Sequence, residues 1–121
     1  MSADQKAQHL VLAVDDNRNA LEIIRRTLGR SGYKVITCEG VPEAVDVMQK
    51  YQIDLVITDL KMPKHNGLEL VRYVSENFYD TAIIMVTAYP SIEGAVEAIK
   101  LGADDFLGKP YTAEELTGTV K

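Results

Sequence analysis

Five short apolar runs alternate with five stretches of helical periodicity, and this alternation limits the chain to very few folds. Leu10-Val11-Leu12-Ala13-Val14 runs into Asp15-Asp16, the first strand spanning about 9–15. Residues 33–38, Tyr-Lys-Val-Ile-Thr-Cys, read as the second strand, and 53–58 as a third that delivers Asp59. Ala82-Ile83-Ile84-Met85-Val86 leads to Thr87-Ala88, and a fifth run at about 104–108 delivers Lys109-Pro110. Runs of this length, rich in β-branched residues and closed by turn formers, read as buried strands.

The intervening segments carry a different period. Leu21, Ile24 and Leu28 share one face of a helix over about 18–30, which Gly29 and Gly32 are expected to end. Pro42 suits the first turn of a second helix, where its missing N–H removes no bond, and Ala44, Val45, Val47 and Met48 follow to about Lys50. A third helix starts near Asn66-Gly67 with Leu68, Val71 and Val74 inward. Ser91 caps a fourth, with Ile92, Ala95, Val96 and Ile99 at helical spacing and Gly102 closing it. Thr112 and Glu115 have capping-box spacing at the start of a last helix. Strands alternating with helices imply right-handed βαβ units, hence an α/β domain of three layers, doubly wound around a parallel sheet.

At 121 residues the chain holds one domain with a real core. Residues 1–8 read as a short lead-in and 9–121 as the domain. The last helix, with Leu116 and Val120 as its obvious anchors, looks cut short, as in the front part of a longer protein. No apolar stretch nears the roughly 20 residues of a membrane span, so no membrane association is expected. A net charge of −5 argues against nucleic acid binding by this segment, because phosphate contacts need a basic face. The single cysteine, Cys38, excludes an internal disulfide and suits a reducing cytoplasm. His9 and His65 belong to no metal-ligand spacing.

The polar residues fall at strand ends, where open α/β sheets place their ligands. Each admits a plain reading: Asp15-Asp16 as helix caps, Asp59 as a turn residue. Three acids, a hydroxyl and an amine at the ends of four separate strands point instead to one site. Carboxylates about 4 Å apart repel by about 4 kcal/mol at an effective dielectric near 20, so the acids call for a cation. Oxygen ligands favour a hard divalent ion, Mg²⁺ or Mn²⁺, on Asp15, Asp16, Asp59 and the backbone carbonyl of Lys61. Asp59 is the candidate nucleophile for a phosphoryl group, with Thr87, Ala88 and Lys109 around it.

These residues resemble the receiver domain of two-component response regulators. Val-Asp-Asp-Asn at 14–17, Asp-Leu-Lys-Met-Pro at 59–63 with Asn66-Gly67, Thr87-Ala88 and Lys109-Pro110 match that family's positions in order and spacing, over about 9–120. The resemblance implies a flavodoxin-like strand order of 2-1-3-4-5. It implies phosphoryl transfer to Asp59 from a phosphohistidine on a histidine kinase or phosphotransfer protein, with Mg²⁺. It implies a cis bond between Lys109 and Pro110 and a switch aromatic at Phe106. Thr87 would then move onto the phosphoryl group and Phe106 would turn inward. The face of the fourth helix, fifth strand and last helix would change shape, to the benefit of a C-terminal output domain or a homodimer. The stretch 88–107 is similar to receivers of the nitrogen-regulator class, attached to activators of sigma-54 polymerase, which suggests transcription control.

Lys61 and Tyr89, two residues after Asp59 and Thr87, are expected to slow self-dephosphorylation by covering the phosphoryl group. Two other functions compete. A hydrolase with an aspartyl-phosphate intermediate would need a second acid two residues after its nucleophile, where Lys61 stands after Asp59 and Asn17 after Asp15. No turnover of a separate substrate is therefore expected. A phosphorylation-independent interaction module would not need the complete set of acids, Thr87 and Lys109.

Overall fold

In a computed structural model the described residues are 9–60, 62, 66–88, 91–109 and 111–120. The lead-in at 1–8 and Lys121 lie outside them. The five apolar runs form β1 (Leu10–Val14), β2 (Lys34–Cys38), β3 (Leu55–Asp59), β4 (Ala82–Thr87) and β5 (Asp105–Gly108). Between and after them lie α1 (Arg18–Arg30), α2 (Val41–Lys50), α3 (Gly67–Asn77), α4 (Ile92–Leu101) and α5 (Ala113–Val120). All strand pairs are parallel, in the order β2-β1-β3-β4-β5. The doubly wound α/β fold expected from the alternation is the one formed.

The two-residue period of the strands sorts the core into two layers. Val11, Ala13, Leu55, Ile57, Ile84 and Val86 pack with Leu21, Ile24 and Leu28 of α1 and Leu116 of α5. Leu12, Val14, Val56, Ile83 and Met85 pack on the other face with Ala44 and Met48 of α2, Leu70, Val71 and Val74 of α3 and Ala98 of α4. A sheet buried on both faces reads as continuous apolar sequence, which is what β1, β3 and β4 show.

Caps set the helix starts. The Asn17 side chain accepts from the Asn19 and Ala20 amides, Asn66 from Glu69 and Ser91 from Gly94. The Thr112–Glu115 capping box closes both ways: the Glu115 amide donates to Thr112 Oγ1 at 3.0 Å and the Thr112 amide to Glu115 Oε1 at 2.8 Å.

Two expectations change, at Gly29 and at Leu68, and the structure adds which faces α2 and α4 bury. Gly29 lies inside α1, which runs on to Arg30; Gly32, at φ 94°, makes the turn into β2. Val45 and Val47 are half-buried in α2 while Val41 and Ala44 are buried. In α3 Leu70 is buried and Leu68 only half-buried. In α4 the apolar stripe points outward: Ile92, Val96 and Ile99 are 85%, 47% and 48% exposed, and Ala98 is the buried residue. Helical spacing identifies a face but not whether that face meets a sheet or water.

Candidate functional site

The register brings the polar strand ends together. Val14 pairs with both Cys38 and Thr58, Asp59 with Val86, and Thr87 with Gly108. Asp15, Asp59, Thr87 and Lys109 thus sit side by side along the carboxyl edge of the sheet. Asp15 is 1% exposed, Asp59 9% and Thr87 fully buried, whereas Asp16 and Ala88 are exposed.

Asp15 is not a helix cap, since Asn17 performs that task for α1. Its amide donates to the Cys38 carbonyl at 3.1 Å, and its Oδ1 accepts the Asn17 amide at 2.9 Å. Oδ2 is left to the Lys109 ammonium at 2.7 Å. The same Nζ lies 3.6 Å from Asp59 Oδ2. Lys109 itself is held by its amide, which donates to the Thr87 carbonyl at 2.7 Å. One cation, anchored at the end of β5, therefore bridges the acids that end β1 and β3.

A single ammonium does not balance three acids. Oxygens of Asp15, Asp16 and Asp59 lie within 4.8 Å of one another. Burial raises the Asp59 carboxyl above the ordinary carboxylate range, and Asp15 and more weakly Asp16 push the same way, against Lys109 and the Leu60 amide. Three oxygen donors at that separation fit a hard divalent cation.

The turn after β3 is closed by backbone contacts. The Leu60 amide donates to Asp59 Oδ1 at 2.8 Å and to the Val86 carbonyl at 3.2 Å. The Gly67 amide donates to the Leu60 carbonyl at 2.7 Å. A Cβ on Gly67 would lie 1.9 Å from the Asp59 carbonyl oxygen, so only glycine permits this approach.

Residues 11–121 match the response regulator receiver domain family. The chain belongs to that family. Its receiver domain is 38% identical over 99 residues to the response regulator protein PilR of Pseudomonas aeruginosa, covering 82% of this chain and 22% of PilR. It superposes on a response regulator of Burkholderia pseudomallei, a crystal structure with a phosphorylated aspartic acid, calcium ion and citrate. That match has a TM-score of 0.88 and 30% identity, over 94% of this chain and 67% of that one. The beryllofluoride-activated NtrC4 receiver domain, a dimer in solution, matches with a TM-score of 0.87 and 31% identity over 92% of each chain. The chain spans half or less of the length of the curated relatives it matches.

The structure thus gathers Asp15, Asp16, Asp59, Thr87, Ala88 and Lys109 at one edge. Phe106 lies apart, half-buried against the layer that contains Met85, its register partner. Lys61, Tyr89, Pro110 and His65 lie outside the described residues, and with them the Lys61 carbonyl, the cis bond and both lifetime residues. His9 is exposed and its ring lies 6.4 Å from that of Tyr33. Cys38 is buried, and burial pushes its thiol to about 11, too high for a nucleophile.

Two residues escaped the sequence reading. Tyr111, half-buried, has its phenol pushed up to about 12 by burial and by the Asp15 and Asp59 charges. With Ala20, Ile23, Ala88 and Lys109 it lines a cavity of about 440 Å³ beside the acids. Its position two residues after Lys109, in the same loop, was the available signal. Thr58 is fully buried, and its signal was a hydroxyl inside an otherwise apolar run.

Proposed function

We propose that this receiver domain takes a phosphoryl group onto Asp59 from a phosphohistidine of a histidine kinase or phosphotransfer protein. The observation that carries the reading is the Lys109 ammonium between Asp15 and Asp59, beside a third carboxylate, on a residue whose amide donates to the Thr87 carbonyl. Asp59 Oδ1 is occupied by the Leu60 amide, so Oδ2 forms the new P–O bond as the P–N bond of the donor breaks. The electron pair of that bond leaves with the imidazole. Lys109 neutralises charge on the transferred oxygens, and Thr87 and Ala88 bound the space they enter. Asp15, Asp16, Asp59 and the Lys61 carbonyl would hold Mg²⁺ or Mn²⁺, which supplies the remaining charge neutralisation.

The cavity lined by Ile23 and Tyr111 gives the donor protein an apolar seat next to the acceptor. Phosphorylation then acts through Thr87 and Phe106 on the α4–β5–α5 face. Output control, transcription included, follows in the longer protein. The outward Ile92, Val96 and Ile99 support a homodimer through that face. Lys61 and Tyr89 lengthen the phosphoryl lifetime, so a Tyr89→Ala variant loses the group faster than wild type. The domain sustains its own phosphorylation and slow dephosphorylation, in the cytoplasm, without turnover of another substrate. Among the described residues no helix is long and apolar enough to cross a membrane.

Intact-protein mass after incubation with acetyl phosphate and Mg²⁺ tests the core of this reading. One phosphoryl group is expected on the wild type, and none on Asp59→Asn or without metal. A folded, metal-binding protein that takes none would be an interaction module instead; phosphoester turnover would make it a hydrolase.

A further inference from the structure

Asp59 ends β3, and the peptide unit that joins it to Leu60 is held from both sides. At its N–H end the Leu60 amide meets Asp59 Oδ1 and the Val86 carbonyl. At its C=O end the Asp59 oxygen accepts from Thr58 Oγ1 at 3.0 Å. Gly67 presses on that same oxygen so closely that a Cβ would come within 1.9 Å. Among the described residues Thr58 is the only side-chain donor to it. Thr58 is fully buried, beside Val14 and Met85 in the register.

A peptide unit is a rigid plane with its C=O and N–H on opposite edges. Fixing one edge therefore fixes the other. The Thr58 hydroxyl fixes the oxygen edge, and so sets where the Leu60 N–H points. That N–H in turn fixes Asp59 Oδ1 and leaves Oδ2 toward Lys109. Without the hydroxyl, the plane is held at its N–H edge alone, and a carbonyl covered by Gly67 has no side-chain partner among the described residues. A valine in this strand would fill the same volume, so packing alone does not call for a threonine.

We infer that Thr58 is a positioning residue for phosphoryl transfer, acting through the Asp59–Leu60 peptide plane to aim the Asp59 carboxylate. The inference rests on Asp59 being the acceptor. It predicts an effect on the rate of transfer larger than that on metal binding, because the acidic cluster also has Asp15 and Asp16, which Thr58 does not position.

The experiment compares wild type, Thr58→Val and Thr58→Ser with acetyl phosphate as donor. Fold is checked by circular dichroism and Mg²⁺ affinity by calorimetric titration. Thr58→Val is expected to bind Mg²⁺ within about twofold of wild type. At saturating metal and donor it should phosphorylate about tenfold more slowly, the scale of one hydrogen bond. Thr58→Ser should return to within about threefold of wild type. A Thr58→Val rate equal to wild type overturns the inference. So does a Thr58→Ser rate as low as that of Thr58→Val, since a variant that keeps the hydroxyl would then be as slow as one that lacks it. Should the valine variant not fold, Thr58→Ser and Thr58→Ala carry the same comparison: both lose the methyl and only one keeps the hydroxyl. Equal rates for these two overturn it equally. A wild type that accepts no phosphoryl group refutes the acceptor reading instead, so the two failures are distinct.

Discussion

Removing the charge of Asp59 should stabilise the metal-free protein. At the 4.8 Å that bounds the acidic cluster, one carboxylate pair repels by about 3.5 kcal/mol at an effective dielectric of 20. Asp59 meets two such partners. Against this stands Lys109 at 3.6 Å, an attraction of about 4.6 kcal/mol on the same scale. The balance is about 2 kcal/mol against the charge. Solvent screening of exposed Asp16 reduces this, and the desolvation of Asp59 adds to it. In Asp59→Asn the amide oxygen still accepts from Leu60, and Lys109 keeps its 2.7 Å bond to Asp15. A gain of about 1–2 kcal/mol is expected, which raises the melting midpoint of a domain this size by about 4–8 °C.

The assay is thermal or urea unfolding of both proteins in chelator, repeated with Mg²⁺. Wild type should gain about 2.7 kcal/mol at a metal concentration 100 times its dissociation constant, and the variant distinctly less. The pH dependence supplies the sign. The folded Asp59 carboxyl titrates above its unfolded value of 3.8, so between the two values the native state holds more protons. Stability from this group is therefore lost as pH rises through that window, and the penalty is complete above the folded value. The advantage of Asp59→Asn must shrink as pH falls through the folded pKa. A variant no more stable than wild type in chelator at neutral pH refutes the reasoning, because the acids would then not be in conflict.

Three further outcomes follow from local geometry. Gly67→Ala forces a Cβ to 1.9 Å from the Asp59 carbonyl; acetyl phosphate labelling should fall by at least tenfold and stability by about 2 kcal/mol or more. Gly102→Ala meets Ser75 Cβ at 2.4 Å at φ 125°, so chemical denaturation should show a loss of about 1–3 kcal/mol with labelling of Asp59 retained. Cys38, buried with its thiol at about 11, should react with a thiol reagent at pH 8 far more slowly in the native than in the unfolded protein; equal rates would mean that the end of β2 is open.

The sheet was legible because both of its faces are buried. β1, β3 and β4 carry apolar runs, interrupted only by Thr58 in β3, and a charged or polar residue that ends such a run lies at the edge. Asp15, Asp59, Thr87 and Lys109 were found in this way, and the parallel register does the rest. Illegible were contacts that depend on the path of the backbone. Nothing at Gly67 shows that its Cα rests on the Asp59 carbonyl, because that approach is set by the turn between β3 and α3. Thr58 was hidden for the opposite reason: its β-branched shape suits a strand, and the hydroxyl finds its partner only one residue away.

The outward face of α4 follows from the same physics and bears on the proposed switch. Ile92, Ala95, Val96 and Ile99 have the spacing of a core stripe, but the helix buries only Ala98. It is seated at its carboxyl end, where Ser75 Oγ donates to the Leu101 carbonyl at 2.8 Å and the Ala103 amide to the Ala98 carbonyl at 3.0 Å. Gly102 packs against Ser75 at that same end. At its amino end Ser91 caps the helix itself, and Ile92 stands 85% exposed. Local opening is least costly where the least apolar surface is buried. α1, by contrast, would have to uncover Leu21, Ile24 and Leu28. The segment that follows Thr87 is thus joined to the helix with the least to lose by shifting. A rearrangement at Thr87 of the kind proposed needs little energy to reach α4, and it arrives at the end where, among the described residues, the cap comes from Ser91 itself and Ile92 stands exposed.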